Sequence, residues 1–223
     1  DIVLKNNGMI DKYEGDAIMA VFGAPVYYEE HAEMTCITAL ECQKKLAELR
    51  EVWKKRGFPE LRARVGINTG DMIVGNMGSN EKFDYTVMGD SVNLASRLEG
   101  ANKLYKTEIM ISSDTYQVVE GKFEVRKLDT IRVKGKQKPV EIYELIGKKG
   151  EIDGNTVELI KEYNEAMTKY QNREWETGKT LFERLLEKYN DDGPSMVYLE
   201  RCIYFNENPP AADWDGVYTF TTK

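Results

Sequence analysis

The side chains in this sequence that could do chemistry are carboxylates, amides and cations placed close to glycines. Asp16 follows a glycine inside "IDKYEGDAIMAVFGAP", residues 10–25, where a charged, alternating stretch meets an almost wholly apolar run. Asn93 and Arg97 lie four positions apart in "YTVMGDSVNLASRLEGANK", residues 85–103. An amide and a guanidinium at this spacing could hold a sugar hydroxyl and a phosphate. Asp16 is either a further contact for such a ligand or a turn residue.

Each of these residues also has a purely structural interpretation. Gly15 and Asp16 separate two strand-like stretches, and glycine followed by a small polar residue suits a tight two-residue turn. Asn93 and Arg97 share the polar side of an expected helix, near the positive end of its dipole, which attracts anions. The same face could simply be solvated. The local pattern leaves both interpretations open.

The composition limits the classes of function. The chain has 223 residues and is 41% hydrophobic, which is enough for a globular core. Its net charge of −7 argues against a nucleic-acid surface, which needs a clustered basic face. No apolar stretch approaches the length of a membrane span, and the first residues, "DIVLKNNGMI", lack the layout of a signal peptide. We expect a cytoplasmic segment without nucleic-acid or membrane contacts.

The cysteine and histidine content excludes several mechanisms. Cys36, Cys42 and Cys202 are an odd number without a CxxC spacing, so neither a disulfide framework nor a zinc cluster is indicated. His31 is the only histidine, which argues against a Ser-His-Asp or Cys-His mechanism. Any chemistry must therefore use carboxylates, cations and amides.

Hydrophobic spacing predicts the elements that would position these residues. Residues 29–56 begin with glutamates and end with basic residues before Gly57, which is typical of a helix. Residues 17–22 predict a strand buried on both faces, and residues 61–78 predict two strands around a turn. A short strand then leads into a helix that Asp90 could cap. Beyond it the pattern predicts a strand, a short helix and two more strands.

Four blocks within residues 9–146 resemble the class III nucleotidyl cyclases. They are "DKYEGDAIMAVFGAP", "VGINTGDMIVGNMG", "YTVMGDSVNLASRLE" and "VKGKQKPVEIYEL", in the family's order and at about its spacing. The resemblance implies an α+β fold of the ferredoxin-like type, an antiparallel-rich sheet with helices, over residues 1–147. It also implies a homodimer that binds the nucleotide between two such domains.

The resemblance implies roles for individual residues. Asp16 looks like one of the family's two metal-binding aspartates, which hold two Mg²⁺ or Mn²⁺ ions. Lys12 and Thr86 look like the pair that selects the base, and lysine with threonine implies adenine. Asn93 looks like the asparagine that orients the ribose, and Arg97 like the arginine on the phosphate undergoing transfer.

Lys134, in "VKGKQK", looks like the lysine that holds the outer phosphates. With these roles the resemblance implies an adenylate cyclase that converts ATP to 3′,5′-cyclic AMP and pyrophosphate. The alternative is a cyclase-like regulatory module that binds nucleotide or a partner without turnover. A guanylate cyclase is a weaker alternative.

One departure from the family concerns its other metal-binding aspartate. In the family this residue lies in a first strand, followed by helices, upstream of the point where this sequence starts, and no residue here matches that motif. Without that strand the sheet would have a central gap and an uncovered face. We expect an upstream segment, with a sensor or regulatory region, and no catalysis by these residues alone.

Residues 148–206 resemble one tetratricopeptide repeat with a capping helix. Their apolar positions follow that pattern: Leu159, Tyr163, Ala166, Tyr170, Trp175, Phe182 and Leu186. Such a repeat needs a neighbour to bury its faces, so we expect it to pack on the preceding domain or on a partner. The tail, residues 207–223, should be extended, with Trp214, Tyr218 and Phe220 pinning it to a surface.

Overall fold

The protein is an α+β structure whose described strands fall into three sheets. The computed structural model describes residues 1–79, 81–132 and 139–219. The strands are β1 (Met9–Glu14), β2 (Ala17–Val21), β3 (Val65–Ile67), β4 (Ile73–Gly78), β5 (Phe83–Met88), β6 (Ile109–Ser112), β7 (Phe123–Arg132), β8 (Val140–Lys148) and β9 (Tyr218–Thr219). The helices are α1 (Ile2–Lys5), α2 (His31–Lys55), α3 (Asp90–Tyr105), α4 (Ser113–Val119), α5 (Gly154–Gln171), α6 (Trp175–Lys188) and α7 (Gly193–Glu207).

The largest sheet has the strand order β3-β6-β8-β7-β9. Strands β6, β8 and β7 are antiparallel neighbours, whereas β3 runs parallel to β6 and β9 parallel to β7. Successive side chains of β6 point to opposite faces, so Met110 joins the core beside α3 while Ile109 and Ile111 join the core beside α2. The helix predicted over residues 29–56, the strand and short helix after α3, and the two later strands are confirmed.

Two hairpins lie outside this sheet. In the first, Glu14 pairs with Ala17, so Gly15 and Asp16 form the predicted two-residue turn. Gly15 has a φ of +64°, a conformation that glycine adopts at little cost. The second hairpin pairs β4 with β5. The two strands predicted in residues 61–78 therefore exist, but they belong to different sheets and do not pair with each other.

The prediction that residues 17–22 form a strand buried on both faces is wrong. Most positions of β2 are exposed, Ile18 by 59%, and only Val21 is buried within the strand. Among the described residues β2 pairs with β1 alone, and a two-stranded ribbon buries little by itself. Both hairpins are thus two-stranded sheets separate from the main sheet.

Helix α3 starts directly after β5. Gly89 occupies its N-cap and no side-chain hydrogen bond caps it, so Asp90 is the first helical residue instead of the predicted cap. Asp90 still places a carboxylate in the first turn, at the positive end of the helix. Leu94, Leu98 and Tyr105 are buried on the side that faces the core.

The main hydrophobic core lies between the sheet, α3 and the C-terminal helices. Its buried side chains come from both parts of the chain: Leu94, Leu98, Tyr105, Met110, Leu128, Ile131 and Ile142, with Tyr163, Ala166, Met167, Tyr170, Trp175, Phe182, Leu185, Tyr198 and Cys202. The prediction that the C-terminal helices pack on the preceding part of the chain is confirmed. Their aromatic stripe is core and not an open groove.

Two buried arginines connect β7 to α7. Arg126 forms ion pairs with Glu144 at 2.6 Å and with Asp192 at 2.8 Å. Arg201 forms an ion pair with Asp129 at 2.7 Å. Each buried charge thus has a partner, which is the condition under which charges are tolerated in a protein interior.

Two tyrosines complete this connection. The Tyr105 hydroxyl, at the end of α3, donates to Asp129 Oδ2 at 2.6 Å, and the Tyr198 hydroxyl donates to the Leu128 carbonyl at 2.6 Å. Burial and the Asp129 carboxylate raise the pKa of Tyr105, and burial raises the pKa of Tyr198. A Cβ at Gly193 would overlap the Tyr105 carbonyl oxygen, so α7 begins in direct contact with the end of α3.

The tail packs on the same region. Trp214 lies against the main core, and the short strand β9 extends the sheet beside β7. The sequence prediction that this segment is pinned to a surface is confirmed for Trp214. Phe220 lies outside the described residues.

Candidate active site

Asp16 lies at the tip of the first hairpin. The turn that holds it is the one predicted from the sequence, and the residue is exposed. A carboxylate in this position is accessible to a ligand. Within the described residues, no hydrogen bond or ion pair connects Asp16 to the other predicted site residues.

Lys12 and Thr86 are brought together by a residue that the sequence did not single out, Asp11. Thr86 Oγ1 donates a hydrogen bond to Asp11 Oδ2 at 3.0 Å. Lys12 Nζ lies 3.5 Å from the same oxygen. Thr86 is 8% exposed, whereas the Lys12 side chain is 40% exposed. The contact joins β1 to β5 and places the predicted base-selecting pair around one carboxylate.

The position of Asp11 depends on an irregularity in β1. Regular alternation would place Asp11 and Lys12 on opposite faces of the strand. The register of β1 against β2 shifts between Ile10 and Lys12, so Asp11 sits at a bulge. A bulge re-aims the side chain that it carries. Sequence reasoning missed Asp11 because alternation gives no signal for a bulge.

Asn93 and Arg97 lie one turn apart on α3, and both are exposed. Residues four apart are neighbours on a helix surface, so the two side chains share one accessible face as predicted. The start of this helix is fixed from outside, because Asn68 Nδ2 donates to the Ser91 carbonyl at 3.0 Å.

Four of the predicted site residues thus form two pairs. Lys12 on β1 and Thr86 on β5 form one, and Asn93 and Arg97 on α3 form the other. The helix follows β5 after a single residue. Lys134 lies outside the described residues.

The described residues do not include a complete set of metal ligands. In residues 1–79, 81–132 and 139–219, no three histidine, cysteine, aspartate or glutamate side chains are grouped so that they could hold an ion. Asp16 is an exposed oxygen ligand of the type that Mg²⁺ prefers. It fits as one ligand, and the remaining ligands of a two-ion site would have to come from elsewhere.

The two hairpins expose apolar side chains beside these residues. The most exposed of the large ones are Tyr13, Ile18, Ile73, Phe83 and Met88. Exposed apolar surface of this extent is typical of an interface. Two cavities, of about 310 and 500 Å³, lie elsewhere in the fold and are not lined by a predicted site residue. None of the described helices has the length and apolarity needed to cross a bilayer.

Comparison with known proteins decides the family. Residues 5–147 match the family model described as "Adenylate and Guanylate cyclase catalytic domain". The chain belongs to this cyclase family. All four sequence blocks that carried the resemblance lie within the matched residues. The model's description names both activities, so it does not by itself select the base.

Two curated relatives of this cyclase chain are similar over different lengths. "Adenylate cyclase 1" of Rhizobium meliloti is 38% identical over 147 residues, which are 66% of this chain and 22% of the relative. "Adenylate cyclase, terminal-differentiation specific" of Dictyostelium discoideum is 31% identical over 207 residues, which are 90% of this chain and 10% of the relative. The second similarity is too long for the cyclase domain alone and includes C-terminal helices. The chain spans about a fifth and a tenth of these relatives.

A solved structure confirms the predicted fold. The adenylyl cyclase CyaB from P. aeruginosa is 36% identical with a TM-score of 0.62, covering 68% of this chain and 78% of that chain. The α+β class III cyclase domain expected from the sequence is therefore correct. The likeness of the C-terminal helices to a tetratricopeptide repeat stays a prediction.

Proposed function

We propose that this chain is the catalytic part of an adenylate cyclase, which converts ATP to 3′,5′-cyclic AMP and pyrophosphate. The observation that carries the proposal is that Lys12 and Thr86 both contact Asp11 Oδ2. The strand that carries Thr86, β5, is followed after one residue by the helix that presents Asn93 and Arg97. Two relatives of the chain are named adenylate cyclases, which supports the same reaction.

The choice of adenine follows from hydrogen-bond chemistry. Adenine donates from its 6-amino group and accepts at N1, whereas guanine accepts at O6 and donates from N1–H. The Lys12 ammonium has only hydrogens to donate, so it suits N1 of adenine. The Thr86 oxygen can accept from the 6-amino group. Lysine with threonine thus favours adenine over guanine.

The chemistry on the phosphates uses the residues of α3. Cyclisation requires the ribose 3′-oxygen to attack the α-phosphorus in line while pyrophosphate leaves. Asn93 orients the ribose so that the two reacting atoms meet, which removes much of the entropic barrier. Arg97 stabilises the charge that grows on the transferring phosphate, and Lys134 binds the outer phosphates.

Asp16 is proposed as one carboxylate ligand for Mg²⁺ or Mn²⁺. The ion, when bound, supplies Lewis-acid stabilisation of the phosphate oxygens. A two-ion site needs a second aspartate, which we assign to an upstream strand of the same domain.

We place the nucleotide site between two copies of the chain. A second copy and an upstream strand would cover the apolar side chains that both hairpins expose. The C-terminal helices act as a tetratricopeptide-like unit, supported by their apolar spacing and by the core they share with the sheet. The protein acts in the cytoplasm, with an upstream sensor or regulatory segment.

The test is the production of cyclic AMP from ATP with Mg²⁺ or Mn²⁺. The natural chain that contains these residues together with its upstream strand is compared with residues 1–223 alone. Asp16→Ala removes the proposed ligand, and Asp191→Ala removes an exposed carboxylate between α6 and α7 as a matched control. We expect activity in the longer chain, its loss in Asp16→Ala and its retention in Asp191→Ala.

Other results would select the alternatives. A folded, dimeric longer chain without turnover would favour the nucleotide-binding regulatory module, because the described residues hold no complete metal ligand set. Cyclic GMP made from GTP as fast as cyclic AMP from ATP would contradict the roles given to Lys12 and Thr86.

A further inference from the structure

Asp11 is a buried carboxylate to which the proposed reaction gives no role. Its side chain is 0% exposed. Oδ2 accepts the hydrogen bond from Thr86 and lies near Lys12 Nζ, whereas Oδ1 is buried without a hydrogen-bond partner among the described residues. A buried carboxylate with an unpaired oxygen is costly. A simple apolar residue would fill the same space at a lower cost.

We infer that Asp11 sets the base specificity of this site by fixing the direction of the Thr86 hydroxyl. The inference rests on the proposed function, because it concerns the base of the same nucleotide. A threonine hydroxyl has one hydrogen, and a carboxylate offers only acceptors. The hydrogen of Thr86 is therefore committed to Asp11, and only oxygen lone pairs remain for a base.

A hydroxyl held in this way discriminates between the two purines at position 6. Its lone pairs accept a hydrogen bond from the 6-amino group of adenine. With its hydrogen committed to Asp11, the hydroxyl cannot donate to the 6-oxo group of guanine, and two acceptor oxygens would face each other. A site built to receive one hydrogen-bonding group rejects a ligand that leaves its polar atoms unpaired.

Asp11 acts on Lys12 through the same oxygen. An ammonium on a flexible four-carbon stem has many rotamers, and a carboxylate 3.5 Å away restricts them. The remaining hydrogens of Lys12 can then face N1 of adenine, which is an acceptor, and they repel N1–H of guanine. One carboxylate thus holds both side chains that read the base.

The bulge in β1 makes this arrangement possible. Without the register shift between Ile10 and Lys12, the side chains of Asp11 and Lys12 would point to opposite faces of β1. With the shift, a residue of β1 reaches a residue of β5 across the gap between the two hairpins. Asp11 is accordingly a positioning residue, since it acts on the base only through Lys12 and Thr86.

The experiment compares substrates that differ only at the edge of the base read by these side chains. Inosine triphosphate differs from ATP in having a 6-oxo group and N1–H, so the ratio of kcat/KM for ATP to that for ITP reports on this edge alone. The ratio is measured in the natural chain with its upstream strand. Asp11→Leu removes both oxygens and keeps the number and branching of the side-chain heavy atoms, and Asp84→Leu makes the same change at an exposed position of β5 as a control.

We expect the ATP-to-ITP ratio to fall about tenfold in Asp11→Leu, the value of one net hydrogen bond, and to stay constant in Asp84→Leu. Asp11→Asn keeps an oxygen for Thr86 and Lys12, so it should keep most of the selectivity. Thr86→Val should lower the ratio as well, and adding Asp11→Leu to it should lower the ratio far less than in the wild type.

Equal losses with ATP and ITP in Asp11→Leu, at a constant ratio, would show that Asp11 is only structural and would overturn the inference. Should Asp11→Leu fail to fold, Asp11→Ala is compared with Asp11→Asn, and equal ratios in these two would overturn it. A wild-type chain that makes no cyclic nucleotide would contradict the proposed function instead. The affinities for ATP and ITP, measured by competition with a fluorescent ATP analogue, then give the same ratio without turnover.

Discussion

The two ends of helix α3 lie in contrasting surroundings. At its N-terminal end Asn93 and Arg97 are exposed, and the neighbouring hairpins carry uncovered apolar side chains. At its C-terminal end Tyr105 is fully buried and bonded to Asp129, which is paired with Arg201 of α7. We call the N-terminal end of α3 the open end and the C-terminal end the closed end. The proposed chemistry lies at the open end, whereas the closed end is held by buried polar and apolar contacts. The rigid support of the site is therefore built at a distance from it.

This contrast predicts that substitutions at the two ends have different consequences. Changes at the closed end should affect the free energy of unfolding, whereas changes at the open end should affect the rate of the reaction at constant stability. Surface substitutions away from such features usually change stability by less than about 0.5 kcal/mol, which sets the scale for the controls.

The largest effect is expected for Arg201→Leu at the closed end. The substitution leaves Asp129 buried without its cation, and breaking a buried pair in this way costs about 3–5 kcal/mol. Urea unfolding followed by circular dichroism measures the loss. Arg184→Leu, an exposed arginine on α6, is the matched control and should be nearly neutral. A loss below about 1 kcal/mol in Arg201→Leu would show that this end is not the rigid support.

At the open end, Arg97→Ala should lower the turnover of ATP by about a hundred- to a thousandfold, or roughly 3–4 kcal/mol in the transition state. The thermal midpoint should not change, because the side chain is exposed. Lys103→Ala removes an exposed cation from the same helix and should keep the activity. A drop in the thermal midpoint that accounts for the lost turnover would remove the contrast between the two ends.

A smaller change in the free energy of unfolding is expected for two buried tyrosines at the closed end, Tyr198 and Tyr163, and it should differ between them. Tyr198→Phe removes the hydrogen bond from the Tyr198 hydroxyl to the Leu128 carbonyl, at a cost of about 1–2 kcal/mol. The Tyr163 hydroxyl has no hydrogen-bond partner among the described residues, and Arg126 packs over its ring at 4.6 Å. Tyr163→Phe keeps the ring and should be neutral or stabilising. Equal losses in the two variants would contradict these contacts.

The same variants report on alkaline pH. Burial raises the pKa of Tyr163 and Tyr198 above the ordinary value of about 10. Above that pH the unfolded chain releases phenolic protons that the folded chain keeps, so the free energy of unfolding falls as pH rises, by up to about 1.4 kcal/mol per unit for each tyrosine. Tyr163→Phe should make this dependence less steep between pH 10 and 11, and an unchanged slope would contradict the assignment.

The sequence was sufficient for the elements set by local pattern. The charge order of α2 and the Gly15–Asp16 turn are local signals, and both are confirmed. The exposure of β2 was not predictable from its apolar composition, because burial depends on which strands pair with it. Asp192, which pairs with Arg126, and Asp129, which pairs with Arg201, lie 66 and 72 positions from these arginines, so sequence spacing could not reveal the two contacts. Asp11 was hidden by a bulge that breaks the alternation of β1.

The contact of Gly193 with the end of α3 has a mechanical consequence. With a hydrogen in place of a side chain, the first residue of α7 leaves no clearance beneath the Tyr105 carbonyl. A close-packed joint passes a displacement on instead of absorbing it. Because α3 connects this contact to the proposed phosphate-binding residues Asn93 and Arg97, a displacement of the C-terminal helices would be transmitted along α3 towards them.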